Sequence, residues 1–360
     1  MKNSYWKNKK VFITGHTGFK GSWLVLILRH LGAKVSGYAL DPISKPNFFD
    51  NLKLSKFLEN DFRSDIKDFS NLNKAIKKCK PSIVFHLAAQ SSVLVSYNNP
   101  DETIKTNIIG TFNLLKAIKL NKSVKSAIVV TTDKVYLNED KKINFDENSK
   151  LGGHDIYSSS KACCEIVTDS FVKSFIDTNK CKIATVRSGN CIGGGDWTED
   201  RIVKDCVEAF VHKKKLLVRS PNSTRPWQHV LEPICGYLKL AEKLSSKNGS
   251  KFAGSWNFGP SKVNLSVLNL AKLGKKIFNS NSKIIIEKKG IKKHEAKYLS
   301  LDSKKSFKYL NWKVYMKPEV ALKLTFDWFK IFYANKRNSK KVTEFTINQF
   351  KNFKNIVKYF

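Results

Sequence analysis

A strand-like segment followed by a glycine-punctuated turn constrains the fold more than any other feature of the sequence. Residues 10–14 (KVFIT) have the apolar character of a buried strand. Gly15, Gly18 and Gly21 follow, and an apolar-periodic stretch typical of a helix comes next. Such a turn can bring backbone amides at a helix N-terminus against a pyrophosphate, although a structural turn can share the spacing. The order strand, glycines, helix favours a dinucleotide-binding βαβ unit.

Strand-like and helix-like patterns then alternate along the chain. Strands are predicted at 34–40, 82–88, 126–132 and 182–189, and helices at 68–79, 101–120, 157–176, 201–212, 230–244, 264–278 and 318–333. Continuous apolar strands separated by helices predict a parallel sheet that is buried on both faces. We therefore expect an α/β fold with a Rossmann-type doubly wound parallel sheet in 1–190. A smaller C-terminal substrate-binding lobe, interleaved with it, is expected in 191–333, and 334–360 is a basic tail that forms either an appended helix or a partly ordered segment.

The formal net charge of +35 bears on the partners of the protein. A basic chain attracts polyanions, so nucleic acid is a candidate. The lysines are spread along the whole chain, however, whereas a dedicated nucleic-acid footprint clusters on one face or motif. We expect no specific nucleic-acid binding, and the charge favours the steering of an anionic substrate.

The cysteines and the apolar runs indicate the compartment. Seven cysteines are scattered without a CxxC pair or a Cys/His spacing that suits zinc. No apolar run approaches the length of a membrane span. We expect free thiols, no metal site, no membrane association and a cytoplasmic location.

An acid after the glycine loop bears on the identity of the dinucleotide. The fingerprint expects a carboxylate about 20 residues further on, which holds the adenosine ribose hydroxyls. Asp41 has that spacing, although a turn residue before Pro42 would look the same. No arginine adjoins it in the sequence to favour a 2′-phosphate, so NAD is predicted as the cofactor in preference to NADP.

Two groups of polar residues predict proton chemistry. Tyr157 and Lys161 are spaced i, i+4 and share a helix face, where an ammonium beside a phenol lowers the tyrosine pKa toward that of a general base. Thr132, Asp133 and Lys134 follow a predicted strand, at the edge of the sheet where ligands bind. A chance YxxxK and a solvated turn are the alternatives, and the order of the motifs disfavours both.

Seven motifs carry a resemblance to a known family. They are, in order, TGHTGFKG, VFHLAAQ, TTDKVY, YSSSKACCE, RSGNCIGGGDW, RPWQHVLEP and WNFGP. Together they resemble the extended short-chain dehydrogenase/reductase family, and within it the CDP-glucose 4,6-dehydratases, from about residue 6 to 333. The resemblance implies an NAD-dependent lyase. Its substrate, CDP-glucose, would be oxidised at carbon 4, lose water across carbons 5 and 6, and receive the hydride back at carbon 6.

The resemblance also implies roles for the five polar residues. Tyr157 would remove the proton from the sugar 4-hydroxyl, which Thr132 would hydrogen-bond. Lys161 would hold the nicotinamide ribose, and Asp133 would protonate the departing hydroxyl. Lys134 lies where TDP-glucose dehydratases carry a glutamate that acts on carbon 5, so the base for that step stays open.

Further residues are implied to bind the two ligands. The cofactor residues, besides Tyr157 and Lys161, are Gly15, Thr17, Gly18, Phe19, Gly21, Asp41, Asp65, Ile66, Leu87, Ala88 and Ala89. Asn190, Arg219 and Arg225 are predicted to hold the substrate diphosphate, since guanidinium donors suit phosphate oxygens. Asn107 is implied to support the site, and His86 is predicted to be a buried, hydrogen-bonded histidine.

One departure from the family pattern keeps other functions open. Leu94 stands where the family usually has an arginine. Another sugar-nucleotide dehydratase or an epimerase is therefore an alternative. A non-catalytic NAD- or RNA-binding module on the same fold is a second alternative, which the presence of Tyr157, Lys161 and Asp133 disfavours.

Apolar residues on two predicted helices indicate self-association. Helices 101–120 and 157–176 carry more apolar residues than one sheet face needs. Those singled out are Ile108, Phe112, Leu115, Val167 and Phe171. We predict a homodimer built largely from these two helices.

Overall fold

Strands and helices alternate in the computed structural model, which describes residues 5–140, 142–260, 265–287, 298–335 and 338–357. The strands are β1 (Lys10–Thr14), β2 (Lys34–Ala39), β3 (Asn60–Arg63), β4 (Ile83–His86), β5 (Ser126–Val130), β6 (Lys182–Ser188), β7 (Cys191–Ile192), β8 (Leu216–Val218), β9 (Gln228–His229), β10 (Gly254–Phe258) and β11 (Ile284–Ile286). The α-helices are α1 (Phe19–His30), α2 (Phe48–Asn51), α3 (Phe69–Cys79), α4 (Val93–Asn98), α5 (Pro100–Ile104), α6 (Gly110–Leu120), α7 (Ile156–Phe175), α8 (Ile202–Val211), α9 (Leu231–Leu244), α10 (Val267–Phe278), α11 (Lys304–Leu310), α12 (Pro318–Ala334) and α13 (Ser339–Val357).

The main sheet has seven strands in the described part of the chain, in the order β10-β6-β5-β4-β1-β2-β3. Every neighbouring pair is parallel. The chain builds outward from β1 in one direction and from β4 in the other, so the boundary between these two strands is a topological switch point. Ligands bind outside the carboxyl ends of the strands at such a point. The predicted doubly wound Rossmann-type sheet is confirmed.

Helices cover both faces of this sheet. Successive residues of a strand point to opposite faces, and in β1 Ile13 joins one apolar cluster while Phe12 joins the other. The first cluster includes α1, α8, α9 and α12, and the second includes α3, α6 and α7. The continuous apolar strands in the sequence reflect this burial on both sides.

Two strands of the main sheet were missed in the sequence. β3 has the polar sequence NDFR and lies at the edge of the sheet, where no apolar run is needed. β10 contributes the opposite edge from far along the chain, pairing Trp256 with Val186 of β6. The sheet is therefore completed by a segment beyond residue 190.

The predicted helix 101–120 is interrupted. It consists of α5, a π-helical turn at Lys105–Ile109, and α6. The Asn107 side chain, in that turn, accepts a hydrogen bond from the Gln90 amide at 2.9 Å and donates to the Ser160 hydroxyl at 2.8 Å. π-turns are frequent at functional sites because they re-aim side chains.

The basic tail forms a packed helix over Ser339–Val357. Trp328 of α12 donates its indole N–H to the Thr346 hydroxyl at 2.8 Å, and Gln349 donates to the Leu324 carbonyl at 2.8 Å. Phe350 is buried against His30 of α1. Of the two sequence-based alternatives, the appended helix is the one present, and its apolar face belongs to the main core.

A buried carboxyl lies in the first turn of α9. Glu232 is fully buried, and its Oε1 accepts the backbone amides of Tyr315 and Met316 at 2.9 and 2.8 Å. Its Oε2 has no hydrogen-bond partner among the described residues. Burial raises the pKa of Glu232 from 4.5 to about 8, so the folded protein holds it protonated at neutral pH.

Glu232→Gln should change the pH dependence of stability. The carboxyl loses its proton near pH 4.5 in the unfolded chain and at about pH 8 in the folded protein. The free energy of unfolding of the native protein therefore falls as the pH rises through that interval and then levels off. The glutamine keeps the Oε1 acceptor and cannot ionise. We expect its free energy of unfolding to equal that of the native protein in mild acid and to exceed it by roughly a few kcal/mol above pH 8.

Urea unfolding across this pH range measures the effect. Glu344→Gln, on the exposed side of α13, is the matched control and should show no pH-dependent difference. Parallel pH profiles for the native protein and Glu232→Gln would contradict a protonated Glu232.

Candidate active site

A cleft of about 560 Å³ opens at the carboxyl ends of the parallel strands. It is lined by every residue that the sequence assigned to the cofactor, to proton transfer or to the substrate. The cofactor set begins at the glycine loop, the proton-transfer residues lie at β5 and α7, and the substrate set comes from segments that follow β6. The fold thus brings all three sets into one cavity.

The glycine loop is held so tightly that side chains are excluded at two positions. Gly15 has φ +74°, and a Cβ there would lie 2.5 Å from the Ala88 nitrogen. A Cβ on Gly21 would lie 2.1 Å from the Gly15 carbonyl oxygen. Gly18 is the N-cap of α1 and carries no side chain that could cap its first-turn amides. The loop therefore presents close-packed backbone and a helix N-terminus to the cleft, which suits a pyrophosphate.

The ribose end of the cleft differs from the sequence-based picture in one respect. Asp41 lies in the cleft with its side chain 85% exposed, and Arg63 from the end of β3 donates to it at 3.1 Å. Arg63 also contacts Asp61 at 2.8 Å. The sequence showed no arginine beside Asp41, but the parallel pairing of β2 with β3 brings one there. The premise that no arginine lies at this position is therefore wrong.

Asp65 and Ile66, which the sequence assigned to the cofactor, line the cleft just after β3. The Asp65 side chain accepts the Lys67 amide at 2.8 Å, and its carbonyl accepts the Tyr38 hydroxyl at 2.9 Å. Ile66 packs against Gly110, where a Cβ would lie 2.7 Å from its Cγ2. These contacts fix the segment that follows β3 against α6.

Tyr157 and Thr132 form the centre of the proton-transfer group. Burial raises the pKa of the Tyr157 phenol, while a hydrogen bond with Thr132 and the charges of Arg201 and Lys20 act in the opposite direction. Lys161 is buried on the same helix and donates to the Val130 carbonyl at 3.3 Å. The sequence predicted Lys161 as the group that lowers the tyrosine pKa; in the structure Thr132, Arg201 and Lys20 act in that direction, and burial outweighs them, so the pKa of Tyr157 is raised.

Asp133 has a side-chain oxygen without a hydrogen-bond partner among the described residues. Its side chain is buried, Oδ1 accepts the Thr132 hydroxyl at 3.1 Å, and Oδ2 has no partner among the described residues. Burial raises the pKa of Asp133, although Lys134, Thr132 and Arg225 oppose the shift. The carboxyl is thus biased toward its protonated form, as an acid catalyst requires. Lys134 lines the same cleft beside it.

The residues predicted to bind the substrate bring positive charge to the cleft. Arg225 is buried and donates to the Thr224 carbonyl at 2.8 Å. Arg219 pairs with Asp200 at 3.4 Å at the cleft margin. The Asn190 carbonyl accepts the Gln228 amide at 3.1 Å, which ties β7 to the segment that contains Arg225.

Two cleft cations were missed in the sequence. Lys20, in the first turn of α1, donates to the Ser188 hydroxyl at 3.0 Å and to the Tyr237 hydroxyl at 3.4 Å. Burial opposes its charge, but Cys191 and Tyr237 raise the pKa of Lys20 overall. It lies within the GFKG segment, where only the glycines drew attention.

Arg201, the second of these cations, bears on the departure at Leu94. Its Nη2 donates to the Ser91 carbonyl at 3.3 Å, and both Arg201 and Leu94 line the cleft. A guanidinium from the second half of the chain therefore reaches the wall that carries Leu94. No sequence pattern links two positions so far apart.

Residues behind the cleft are closely hydrogen-bonded. His86 is buried, with its ring nitrogens 2.7 Å from the Thr14 hydroxyl and 3.0 Å from the Thr111 hydroxyl, and burial lowers its pKa to about 3. It is a satisfied neutral histidine, as predicted. Among the described residues, we find no group of three or more His, Cys, Asp or Glu side chains placed to hold a metal ion. None of the described helices is long and apolar enough to cross a membrane.

Comparisons with known proteins identify the family of the chain. The family model described as GDP-mannose 4,6 dehydratase matches residues 12–325. The CDP-glucose 4,6-dehydratase of Salmonella typhimurium is 40% identical over 315 residues, which cover 86% of this chain and 87% of that protein. The dTDP-D-glucose 4,6-dehydratase of Bos taurus is 26% identical, covering 93% of each chain.

Solved structures share the fold. The UDP-glucose 4-epimerase of Thermotoga maritima, with UDP-glucose, superposes with a TM-score of 0.76 at 24% identity and covers 89% of this chain and 98% of its own. The UDP-glucuronic acid 4-epimerase of Bacillus cereus, in complex with UDP-glucuronic acid and NAD, also gives 0.76, at 22% identity, and covers 89% and 98%. The chain therefore belongs to the epimerase and dehydratase branch of the extended short-chain dehydrogenase/reductase family, as a sugar-nucleotide 4,6-dehydratase similar to those that act on CDP-glucose.

Proposed function

We propose that the protein converts CDP-glucose to CDP-4-keto-6-deoxyglucose. The observation that carries the proposal is the buried Asp133 carboxyl, whose Oδ2 has no hydrogen-bond partner among the described residues and which lines the cleft together with Tyr157 and Thr132. A 4,6-dehydratase needs both a base for the 4-hydroxyl and an acid for the departing 6-hydroxyl. An acid and a base held in different surroundings meet that need.

The cleft also suits NAD. Gly15 and Gly21 leave room for backbone only, and the first-turn amides of α1 face the position of a pyrophosphate. Asp41 would accept hydrogen bonds from the ribose hydroxyls, as the fingerprint carboxylate does, and a 2′-phosphate would remove one of these donors. Thr17, Phe19, Asp65, Ile66, Leu87, Ala88 and Ala89 would line the remainder of the cofactor site. When bound, NAD supplies an acceptor for the hydride at carbon 4 and returns it at carbon 6.

The residues of β5 and α7 would handle protons in a fixed order. Tyr157 takes the proton of the 4-hydroxyl, and the Thr132 hydroxyl holds the same oxygen. Lys161 holds the nicotinamide ribose from the helix that carries Tyr157. After oxidation at carbon 4, the carbon 5 proton becomes acidic, and Asp133 protonates the hydroxyl that leaves carbon 6. Lys134 is the candidate that removes the carbon 5 proton.

The nucleotide diphosphate would bind where the second half of the chain meets the sheet. Asn190, Arg219 and Arg225 are its candidate ligands, because they contribute an amide and two guanidinium groups to the lining of the cleft. We assign residues 1–190 to the cofactor and residues 191–333 to most of the substrate. One strand of the second segment, β10, nevertheless belongs to the main sheet. All seven cysteines are free thiols, which suits action in the cytoplasm.

A panel of nucleotide sugars tests the proposed function. The pure protein with NAD is incubated with CDP-, TDP-, UDP- and GDP-glucose, and the products are identified by mass and NMR spectra. We expect a 4-keto-6-deoxy product from CDP-glucose, formed faster than from the other nucleotides, and none from Tyr157→Phe. A preference for another nucleotide, or product epimerised without loss of water, would overturn the assignment.

Asp133→Asn should separate oxidation from elimination. The amide keeps the acceptor for the Thr132 hydroxyl but cannot protonate a leaving group, while Tyr157 and Lys161 are unchanged. We expect product formation to fall by about 10²-fold or more. The absorbance of reduced cofactor should persist at up to one equivalent per site, whereas the native protein should show no lasting signal. Turnover close to native would remove Asp133 from its role, and the absence of any reduced cofactor would show that the two steps are not separable.

We also propose a homodimer formed through α6 and α7, on a surface that differs in detail from the sequence prediction. Leu115 and Phe171 are buried within the chain and cannot contribute. Phe112, Ile166 and Phe175 are exposed on these helices, at 39%, 53% and 54%. Exposed apolar side chains on adjacent helices of this kind favour association.

Replacing two of these residues by aspartate should yield a monomer. We expect light scattering to give a dimer for the native protein and a monomer for Phe112→Asp/Ile166→Asp, because burying two charges in an apolar interface is costly. Ile356→Asp, an exposed position on α13, is the control and should remain dimeric. A native monomer at micromolar concentration would contradict the proposal.

A further inference from the structure

A buried ion pair that takes no part in the reaction lies directly behind the catalytic residues. Arg187 of β6 contacts Glu165 of α7 through two bonds, Nε to Oε1 and Nη2 to Oε2, each 3.0 Å long. The two side chains are 3% and 4% exposed. The free-energy cost of burying two charges is often larger than the gain from their mutual attraction. A buried ion pair therefore suggests a role other than stabilising the fold.

The pair is fully hydrogen-bonded by its surroundings. The Thr131 hydroxyl donates to Glu165 Oε1 at 2.5 Å, and the Thr185 hydroxyl donates to Oε2. Arg187 Nη1 donates to the Tyr136 hydroxyl at 2.8 Å, and Tyr136 in turn donates to Asn257 of β10 at 2.7 Å. Fully satisfied polar networks of this kind rigidify the elements that they join.

These contacts enclose the catalytic segment. Thr131 immediately precedes Thr132, and Tyr136 immediately follows the 3₁₀ turn Asp133–Val135. The network therefore forms hydrogen bonds at both ends of the segment 132–135. On the other side, Glu165 lies one helical turn beyond Lys161 and two beyond Tyr157. The network is therefore a direct connection between the strand tip and the helix that together carry the proton-transfer groups.

We propose that Glu165 is a positioning residue that, through Thr131, fixes the distance between the Thr132 hydroxyl and the Tyr157 phenol. The inference rests on the proposed dehydratase function. It explains why a carboxylate is buried at this point: one acceptor holds β5 and β6 against α7 at once. Catalysis is sensitive to this spacing, since a displacement of about 1 Å can cost about 10²-fold in rate.

Two threonines that donate to the same carboxylate provide a matched test. Thr131→Val and Thr185→Val each remove one hydroxyl with little change of shape, but only Thr131 adjoins the catalytic segment. The Thr131 hydroxyl also lies 3.1 Å from the Val186 carbonyl, an alternative acceptor on β6. We expect both variants to lower the unfolding temperature by similar amounts. Thr131→Val alone should lower kcat, by about tenfold or more with KM within about twofold of native, and Thr131→Ser should restore it.

The pH profile separates positioning from general loosening. The hydrogen bond with Thr132 lowers the pKa of Tyr157, and the charges that also act on the phenol, those of Arg201, Asp133 and Lys20, are untouched by either variant. Loss of the hydrogen bond between Thr132 and Tyr157 should therefore shift the increase of kcat with pH to higher pH in Thr131→Val. The same profile should be unchanged in Thr185→Val. Equal loss of kcat in both valine variants, or an unmoved profile in Thr131→Val, would overturn the proposal.

A second readout does not need turnover. Ultraviolet difference titration of each variant against the same variant carrying Tyr157→Phe reports the Tyr157 phenol directly. We expect the phenol to titrate at higher pH in Thr131→Val than in the native protein or Thr185→Val, and an equal midpoint would overturn the positioning role. If the native protein converts no nucleotide hexose, the proposed function fails while this titration still decides the inference. Thr131→Cys, a weaker donor, replaces the valine variant should that not fold.

Discussion

All strands of the main sheet run in one direction, and the position of the chemistry follows from this constraint. Parallel strands end at the same edge, so residues that are distant in sequence, such as Gly15 after β1 and Asp133 after β5, meet there. The switch between β1 and β4 opens the crevice in that edge. The connections back to the opposite edge are helices, and they cover both faces of the sheet with apolar side chains. Scaffold and site are therefore consequences of one arrangement.

Burial then decides what the polar residues at that edge can do. It raises the pKa of Asp133 and of Tyr157 and lowers that of Lys161, so each of these groups is displaced toward its neutral form. A dry cleft thus favours groups that can both give and take a proton. Arg187 is charged in the same interior, and Glu165 beside it offsets the cost of burying that charge. The difference between reactive and structural residues lies in their partners, since their depth of burial is similar.

The sequence predicted the parallel sheet, the glycine loop and the polar residues that line the cleft because each has a local pattern. Gly15 and Gly21 follow a strand, and Tyr157 and Lys161 share a helical turn. Features that depend on distant pairing had no such pattern. Arg63 reaches Asp41 only through the register of β2 with β3, and β3 itself is a polar edge strand. Arg201 meets Ser91 across the cleft after an interval of 110 residues, which neither periodicity nor spacing records.

The strand β10 also has a consequence for how the protein is made. A chain synthesised from its amino end presents β6 before residues 254–258 exist, so the edge of β6 has no partner while a long stretch of the protein is still to come. An exposed edge strand can pair with other chains. The nascent polypeptide therefore passes through a stage in which residues 1–190 are complete in sequence but their sheet is open at one side. The edge of β6 is covered, and so protected from aggregation, only when the five-residue strand β10 has been synthesised.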